Sequence, residues 1–338
     1  MTIRSASKWC TLLLIIFLSA CGQHANTFPA ISEPDVSSET TSAQTSQGSI
    51  VNNPVQTTGC GKSSPIAAGK TVNLTLTSAG LQRTYRLHVP ARYDPQQKIP
   101  LVLVIHGHNG TSGSQEVYSN YSALANQQHF LVVYPQGVVG PDGKNGWSTY
   151  GKRDPSVNDV LFFSDLLTTL QQRLCVDAQR IYATGISNGG GMTNLLACQL
   201  SGRIAAFAPV AAAIYPIPGG CHPTRPVPYM EFHGTSDPLV SYNGRPVLQF
   251  LPVMQTMQDW AKRDSCTSGL STFFQQADVT GLKWTNCQGG VTVQHYRIDR
   301  GGHTWPGATI PEPVLGVTTH TISATPLGWQ FFQHYQLV

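Results

Sequence analysis

The stretch from Ile181 to Cys198, which reads IYATGISNGGGMTNLLAC, decides the fold of this chain. A β-branched and aromatic run ends at Gly185-Ile186-Ser187-Asn188-Gly189, and a helix-compatible segment follows it. This order predicts a strand, a sharp turn and a helix, with Ser187 in a strained conformation at the turn as a candidate nucleophile. The glycines fit this geometry because side chains at Gly185 and Gly189 would fill the space where strand and helix nearly touch.

A glycine-rich turn with a surface serine is the alternative interpretation. The chain contains 32 glycines, so the pattern Gly-x-Ser-x-Gly can arise by chance. A serine nucleophile of this type needs an acid and a histidine later in the chain, in the order Ser, Asp or Glu, His. The sequence offers both at predicted strand ends.

Asp237 is the candidate acid. It follows the apolar run Val227 to Phe232 within His-Gly-Thr-Ser-Asp-Pro, which predicts a position at the end of a strand. A turn residue that stabilises its own loop is one alternative, and Asp299 is another. Asp299 lies only four residues before the candidate histidine, His303. At that spacing the carboxylate of Asp299 would reach the correct side of the imidazole less easily, so Asp237 is favoured as the acid.

His303 is the candidate general base, in the run Gly-Gly-His-Thr-Trp-Pro-Gly after the last predicted strand. The glycines let the backbone carry an imidazole over the sheet towards Ser187. His303 would take the serine proton and return it to the leaving alcohol, while Asp237 fixes the tautomer. A surface histidine is the alternative, and His106 and His233 are interpreted as supports of strand-end loops.

Two further groups of residues are expected to contact a substrate. The backbone N–H groups of Asn188 and His108 are the predicted donors to a tetrahedral oxyanion, which leaves both side chains free as walls of the site. Trp147 and Trp305 are candidates for substrate binding, since an indole can line a groove or stack on an aromatic ring or a sugar. Aromatic residues of the core are the alternative for both.

The rest of the chain predicts strands that alternate with helices. Ile99 to Ile105 is continuously apolar, as expected for a strand buried on both faces of a parallel sheet. Val72 to Thr77 and Leu81 to Val89 alternate and predict an antiparallel hairpin at an edge. Asp159 is the predicted N-cap of a helix that begins at Val160. We expect an α/β fold with a mostly parallel central sheet flanked by helices and a ligand site at the carboxyl ends of the strands.

The N-terminus has the pattern of an export signal. Residues 1–20 carry two basic residues and then an apolar run that is too short to span a membrane. Leu-Ser-Ala-Cys at 18–21 resembles a bacterial lipobox, which implies cleavage before Cys21 and lipidation of its thiol. Gly22, directly after the cysteine, favours anchoring in the outer membrane. Ordinary secretion without lipidation is the alternative. Residues 21–58 are polar and predict a flexible tether, and residues 59–338 form the predicted catalytic domain.

The charge of the chain argues against a nucleic-acid partner. The formal net charge is +4, and cleavage of the signal removes two positive charges and no negative ones. Lysine and arginine form no long run. We expect no metal and no cofactor, contact with a membrane only through the lipid anchor, and an ester as the partner.

Six of the eight cysteines lie beyond the lipobox. In an exported protein an even number favours three disulfides over metal binding or a thiol nucleophile. The order of the cysteines in the chain suggests the pairs Cys198 with Cys221 and Cys266 with Cys287, which leaves Cys60 with Cys175, although other connectivities are possible.

Taken together, these motifs resemble the secreted poly(3-hydroxybutyrate) depolymerase and feruloyl esterase group of α/β-hydrolases. The resemblance spans about residues 59–338 and implies an α/β-hydrolase fold with Ser187, Asp237 and His303 as the triad. It implies hydrolysis of short-chain polyester or its oligomers through an acyl-enzyme. A feruloyl or acetyl-xylan type esterase is the alternative, and an inactive lipid-anchored binding protein is a third possibility. No polymer-binding module follows the domain in this sequence, so weak activity on crystalline polyester is expected.

Overall fold

The computed structural model describes residues 48–64, 66–149, 154, 156–310 and 313–338. The predicted signal peptide, the predicted lipidation site Cys21 and the predicted tether up to residue 47 lie outside these ranges. Within the described ranges, no helix combines the length and the apolar composition that a membrane span requires.

Twelve strands are found among the described residues. They are β1 Lys70–Ser78, β2 Leu81–Val89, β3 Ile99–Ile105, β4 Leu131–Pro135, β5 Val138–Val139, β6 Asn145–Gly146, β7 Val176–Ile186, β8 Ala206–Val210, β9 Tyr229–Gly234, β10 Ser271–Gln276, β11 Val279–Trp284 and β12 Val293–Ile298.

The described residues also include six α-helices and three short 3-10 helices. The α-helices are α1 Ser112–Ser119, α2 Tyr121–Gln128, α3 Asp159–Arg173, α4 Asn188–Gln199, α5 Val253–Arg263 and α6 Ala324–Phe332. The 3-10 helices are Pro246–Leu248, Gln288–Gly290 and Pro313–Leu315.

Ten of the strands form one sheet in the order β1-β2-β4-β3-β7-β8-β9-β12-β11-β10. Its centre is parallel, because β3 pairs in parallel with β4 and β7, β8 lies between β7 and β9, and β9 pairs in parallel with β12. Antiparallel hairpins close both edges, β1 with β2 and β10 with β11. The predicted α/β fold with a mostly parallel sheet is therefore confirmed.

The continuously apolar central strands are explained by burial on both faces of the sheet. Along β3, Leu101, Leu103 and Ile105 belong to one hydrophobic cluster. Val102 and Val104, which point to the opposite face, belong to the other. Each cluster is completed by helices, so the sheet is the middle layer of the domain and its strand ends are left to carry a site.

Two local predictions were wrong or incomplete. Asn158, not Asp159, caps α3, since its side chain accepts a hydrogen bond from the Leu161 N–H. Asp159 is instead buried in an ion pair with Arg83, at 2.7 Å. The edge hairpin β10–β11 and helix α5 were not predicted from the sequence.

The predicted tether ends earlier than residue 58. Residues 48–58 lie against α3, where the Val51 N–H donates to Ser164 Oγ at 3.0 Å and Gln171 Nε2 donates to the Val55 carbonyl at 2.7 Å. A polar composition alone did not reveal this docking because the partners of the segment are polar side chains of a distant helix.

Three disulfides are formed, and each joins the cysteines that the sequence paired. They are Cys60–Cys175, Cys198–Cys221 and Cys266–Cys287. The first bridge fastens the start of the domain to the entry of β7, the strand that carries Ser187 at its end.

Candidate active site

Ser187 sits at a sharp turn between β7 and α4. Its backbone has φ 60° and ψ −122°, a conformation that residues with a Cβ atom rarely adopt. The turn is possible because two flanking glycines pack tightly: a Cβ on Gly185 would lie 2.7 Å from the Gly189 carbonyl oxygen, and one on Gly189 would lie 2.4 Å from the Ile105 carbonyl oxygen. The strained turn holds the hydroxyl at the carboxyl end of the central strands.

His303 and Asp237 form a buried hydrogen bond. Nδ1 of His303 lies 2.7 Å from Oδ2 of Asp237, and a carboxylate can only accept, so Nδ1 carries the proton. The other carboxylate oxygen accepts the N–H groups of Leu239 and Val240, each at 2.8 Å. The imidazole is thus held in one tautomer, with Nε2 left as the basic nitrogen.

The loops after β9 and β12 bring these two residues together. The strands are neighbours in the sheet, and their loops are joined by hydrogen bonds from the Ser236 N–H to the Gly301 carbonyl, at 3.0 Å, and from the Arg300 N–H to Thr235 Oγ1, at 2.8 Å. Asp299 does not take part. It lies on the surface, 3.0 Å from Nε of Arg297.

Ser187 and His303 line one cavity of about 1060 Å³. Asp237 is buried behind the imidazole. Among the described residues no hydrogen bond joins the Ser187 hydroxyl to His303, and such contacts often tighten only when a substrate is bound. The cavity is large enough for an acyl group together with part of an alcohol.

The predicted oxyanion donors lie beside the serine. Asn188 is the first residue of α4, and the first N–H groups of a helix have no partner within it. His108 lies in the loop after β3, and the neighbouring Gly107 approaches so closely that a Cβ there would lie 3.2 Å from Ser187 Cβ. The side chain of Asn188 is not a free wall of the site, because its amide bonds to the backbone N–H and carbonyl of Trp147.

His106 and Trp147 hold the loop that carries His108. The Gly137 N–H donates to His106 Nε2 at 2.9 Å, so His106 Nδ1 donates to the Gly107 carbonyl at 2.7 Å. Trp147 Nε1 donates to the His106 carbonyl at 2.8 Å. Trp147 is fully buried among Phe162, Phe163 and His106, yet it is also one of the residues that line the cavity of Ser187. The indole braces the loop, and its part in substrate binding stays a prediction.

Trp305 is also a core residue. Its ring packs edge-on against Tyr121, and its Nε1 donates to Thr325 Oγ1 at 3.0 Å. The side chain is buried and does not line the cavity. The prediction that it binds substrate is therefore wrong, because a tryptophan two residues after His303 points into the layer beneath the loop.

Known proteins share this sequence pattern and this architecture. Residues 116–218 match the prolyl oligopeptidase family. The chain is 33% identical over 226 residues to feruloyl esterase B of Piromyces equi. This aligned region covers 63% of this chain and 41% of that protein. It is 26% identical over 248 residues to the bifunctional acetylxylan esterase/xylanase XynS20E of Neocallimastix patriciarum, which covers 72% of this chain and 34% of that protein.

A solved structure supports the same architecture. The acetyl xylan esterase from Aspergillus awamori superposes with a TM-score of 0.54 at 17% identity, over 78% of this chain and 99% of that one. The chain has an α/β-hydrolase fold. It spans less than half the length of the two curated esterases named above.

The walls of the cavity include residues that the sequence did not point to. The apolar lining residues include Val117, Leu239, Leu248, Phe250, Ile310 and Leu315. The lining also includes His108 and Asp142, whose Nε2 and Oδ2 atoms lie 2.6 Å apart. The cavity beside Ser187 therefore offers both polar and apolar groups. Single exposed apolar residues carry no sequence signal that separates them from other surface residues.

A buried ionic cluster adjoins Asp237. Burial by itself would raise the pKa of Glu231, but the charges and hydrogen bonds of His233 and His295 outweigh it and lower that pKa to about 2. Burial would likewise raise the pKa of Asp237, and hydrogen bonds from His233 and His303 hold it well below its usual range. Glu231 lies inside an apolar strand, and its alternation with His233 along β9 was the one sequence signal for this cluster.

Proposed function

We propose that this chain is a serine carboxylic-ester hydrolase that works through an acyl-enzyme. One observation carries the proposal: a serine in a strained strand-to-helix turn shares a cavity with His303, whose Nδ1 is 2.7 Å from Oδ2 of the buried Asp237. This combination of nucleophile, base and orienting acid is the one that acyl transfer requires.

In the proposed reaction, Ser187 Oγ attacks the ester carbonyl as His303 Nε2 takes its proton. The carbonyl oxygen becomes an oxyanion and accepts hydrogen bonds from the backbone N–H groups of Asn188 and His108. His303 then gives the proton to the departing alcohol, which leaves an acyl group on Ser187. A water molecule, activated by His303 in the same way, releases the acid. Asp237 stabilises the imidazolium in both halves.

For the substrate we propose feruloyl or acetyl esters of plant polysaccharides. The support comes from the relatives, which bear the names of feruloyl and acetylxylan esterases. The cavity suits such molecules because its lining offers apolar side chains for an aromatic acyl group and polar groups such as His108 and Asp142 for a sugar alcohol.

Short-chain polyester, such as poly(3-hydroxybutyrate) or its oligomers, is the second candidate. One observation favours it: Val117, Leu239 and Leu248 line the cavity while about half or more of each is exposed, at 65%, 48% and 45%. Exposed apolar residues beside a site offer contact to an apolar chain that extends beyond the scissile ester.

We also propose that the protein is exported and is either lipid-anchored through Cys21 or secreted. Three disulfides support export, because such bonds persist in oxidising compartments. The anchor rests on the resemblance of residues 18–21 to a lipobox and is tested by metabolic labelling with a fatty acid and a Cys21→Ser variant.

Turnover of p-nitrophenyl acetate or butyrate tests the hydrolase, with Ser187→Ala as the matched inactive variant. A folded wild-type protein that turns over neither ester would leave the binding-protein interpretation. Methyl ferulate, acetylated xylan, hydroxybutyrate oligomers and amorphous polyester then separate the substrate classes by kcat/KM. Activity on the polyester substrates alone would reverse the proposed order.

A further inference from the structure

His233 lies between two buried carboxylates next to the candidate triad. Its Nδ1 is 2.7 Å from Oε1 of Glu231, and its Nε2 is 3.3 Å from Oδ2 of Asp237. The same Nε2 is 2.8 Å from the carbonyl oxygen of Val240. The side chains of the three ionisable residues are at most 2% exposed. Oδ2 of Asp237 is also the atom that receives the hydrogen bond from His303.

The surroundings of His233 require a proton on each ring nitrogen. Nδ1 faces a carboxylate, and Nε2 faces a backbone carbonyl and a second carboxylate, and all of these groups accept hydrogen bonds without donating any. Burial alone would lower the pKa of His233, but the charges and hydrogen bonds of Glu231 and Asp237 raise it to about 10. The ring is therefore a cation throughout the neutral pH range.

We propose that Glu231 and His233 are positioning residues, in which Glu231 keeps His233 as a fixed imidazolium that in turn keeps Asp237 ionised and aimed at His303. The inference rests on the proposed function, since it assigns the two residues a part in the same reaction. Neither touches the substrate cavity, so both act through Asp237.

The fixed cation has a consequence for the base. Before the proton transfer, Glu231, His233 and Asp237 carry one net negative charge, and a proton on His303 brings the group to neutrality. Without the cation, Asp237 would accept fewer hydrogen bonds, and its negative charge would no longer be offset. That charge would keep a proton on His303 up to a higher pH. Less of the enzyme would then hold His303 as a free base at neutral pH.

Other ionisable groups face this cluster and supply a control. Nδ1 of His295 lies 3.0 Å from Oε2 of Glu231, and Nε2 of His295 shares a hydrogen bond of 2.8 Å with the hydroxyl of Tyr242. Arg297 and Asp299 act on Tyr242 at longer range. Tyr242→Phe therefore removes a polar group from the same buried cluster without removing a charge next to Asp237.

The test is the pH dependence of kcat/KM for p-nitrophenyl butyrate in His233→Gln, Glu231→Gln and Tyr242→Phe. In His233→Gln the acid-side midpoint should rise by about two pH units, the size expected for a unit charge removed at about 6 Å in a medium of effective dielectric near 20. In Glu231→Gln it should rise by less, because that change removes a negative charge together with the cation. The double variant should shift no further than the larger single shift, because both changes act through one cation. Tyr242→Phe should keep the wild-type midpoint, whatever its melting temperature.

Folded Gln variants with the wild-type midpoint would overturn the inference, and so would an equal shift in Tyr242→Phe. If the Gln variants do not fold, the wild-type protein still decides, since nitrogen-15 shifts of the histidine rings report their protonation. One imidazole should remain doubly protonated at pH 8.5. If all histidines of the protein are neutral at that pH, the proposed imidazolium is refuted. That measurement needs no ester turnover, so its failure is distinct from failure of the proposed hydrolase activity.

Discussion

Oδ2 of Asp237 lies 2.7 Å from Nδ1 of His303, although 66 positions separate the two residues in the chain. Asp299 is only four positions from His303, yet its carboxylate is turned to Arg297 on the surface. The difference arises because β9 and β12 are adjacent parallel strands whose ends meet at the same edge of the sheet. Neighbours in the sheet, not neighbours in the sequence, supply the carboxylate that His303 contacts.

Asp237→Asn should lower kcat by several powers of ten, because an amide at this position favours the wrong tautomer of His303. Asp299→Asn should leave kcat within about twofold of wild type, since an exposed ion pair contributes little. Steady-state kinetics on p-nitrophenyl butyrate compares the two variants. The opposite ranking would make Asp299 the acid.

Ser187→Ala should abolish ester hydrolysis while the melting temperature changes little, because the hydroxyl is the proposed attacking atom and its loss leaves no large cavity. Ser236→Ala is a matched control, as Ser236 is an exposed serine on the loop of Asp237. Rates and thermal unfolding are measured on the same preparations. Residual activity above roughly a hundredth of the wild-type rate would exclude Ser187 as nucleophile.

Trp147→Phe should lower kcat about tenfold, because it removes the hydrogen bond that fixes the His106 carbonyl and with it the loop of His108. Trp305→Phe should instead lower the free energy of unfolding, by about 1–3 kcal/mol, with a much smaller change in kcat. Paired kinetics and denaturant unfolding test this contrast. Equal losses of kcat in both variants would contradict the distinct roles given to the two indoles.

The disulfides should leave no free thiol among the six domain cysteines, which thiol titration of the denatured, unreduced protein checks. Removal of Cys60–Cys175 should destabilise the fold by about 1.5 kcal/mol more than removal of Cys266–Cys287, because the loops closed span 115 and 21 positions. Alanine pairs at each bridge provide the comparison. Two or more free thiols would contradict the three-bridge structure.

Asp264→Asn should stabilise the protein more at pH 8 than at pH 5. Burial raises the pKa of Asp264 to about 7, against the hydrogen bond from the Val227 N–H and the charges of Arg225 and Arg263. A carboxyl whose pKa is raised on folding destabilises the fold as the pH increases from about 4 to about 7. The free energy of unfolding of the variant, relative to that of wild type, should therefore be higher at pH 8 than at pH 5 by on the order of 2 kcal/mol.

Denaturant midpoints at pH 5 and pH 8 measure that gain, with Asp299→Asn as the control because its carboxylate is half exposed. A gain of the same size at both pH values would mean that the buried carboxyl is already ionised at pH 5.

Much of the structure of this protein could be predicted from its sequence by local rules. The apolar run at Ile99 to Ile105, the turn at Ser187 and the hairpin at Ser78-Ala79-Gly80 each follow from side-chain period and backbone freedom within a few residues. The order of the candidate serine, acid and histidine was read from motifs at strand ends. The structure places Ser187 and His303 in one cavity and Asp237 against His303.

Tertiary structure alone decided which way side chains face and what surrounds them. Trp147 and Trp305 look alike in sequence as substrate residues, but packing buries both. Glu231 lies within an apolar run, and only the approach of β12 gives it His295 as a neighbour. Residues 48–58 have a polar composition and yet dock on α3. Such outcomes depend on contacts between distant segments, whose partners are set by the folded sheet and not by nearby residues in the chain.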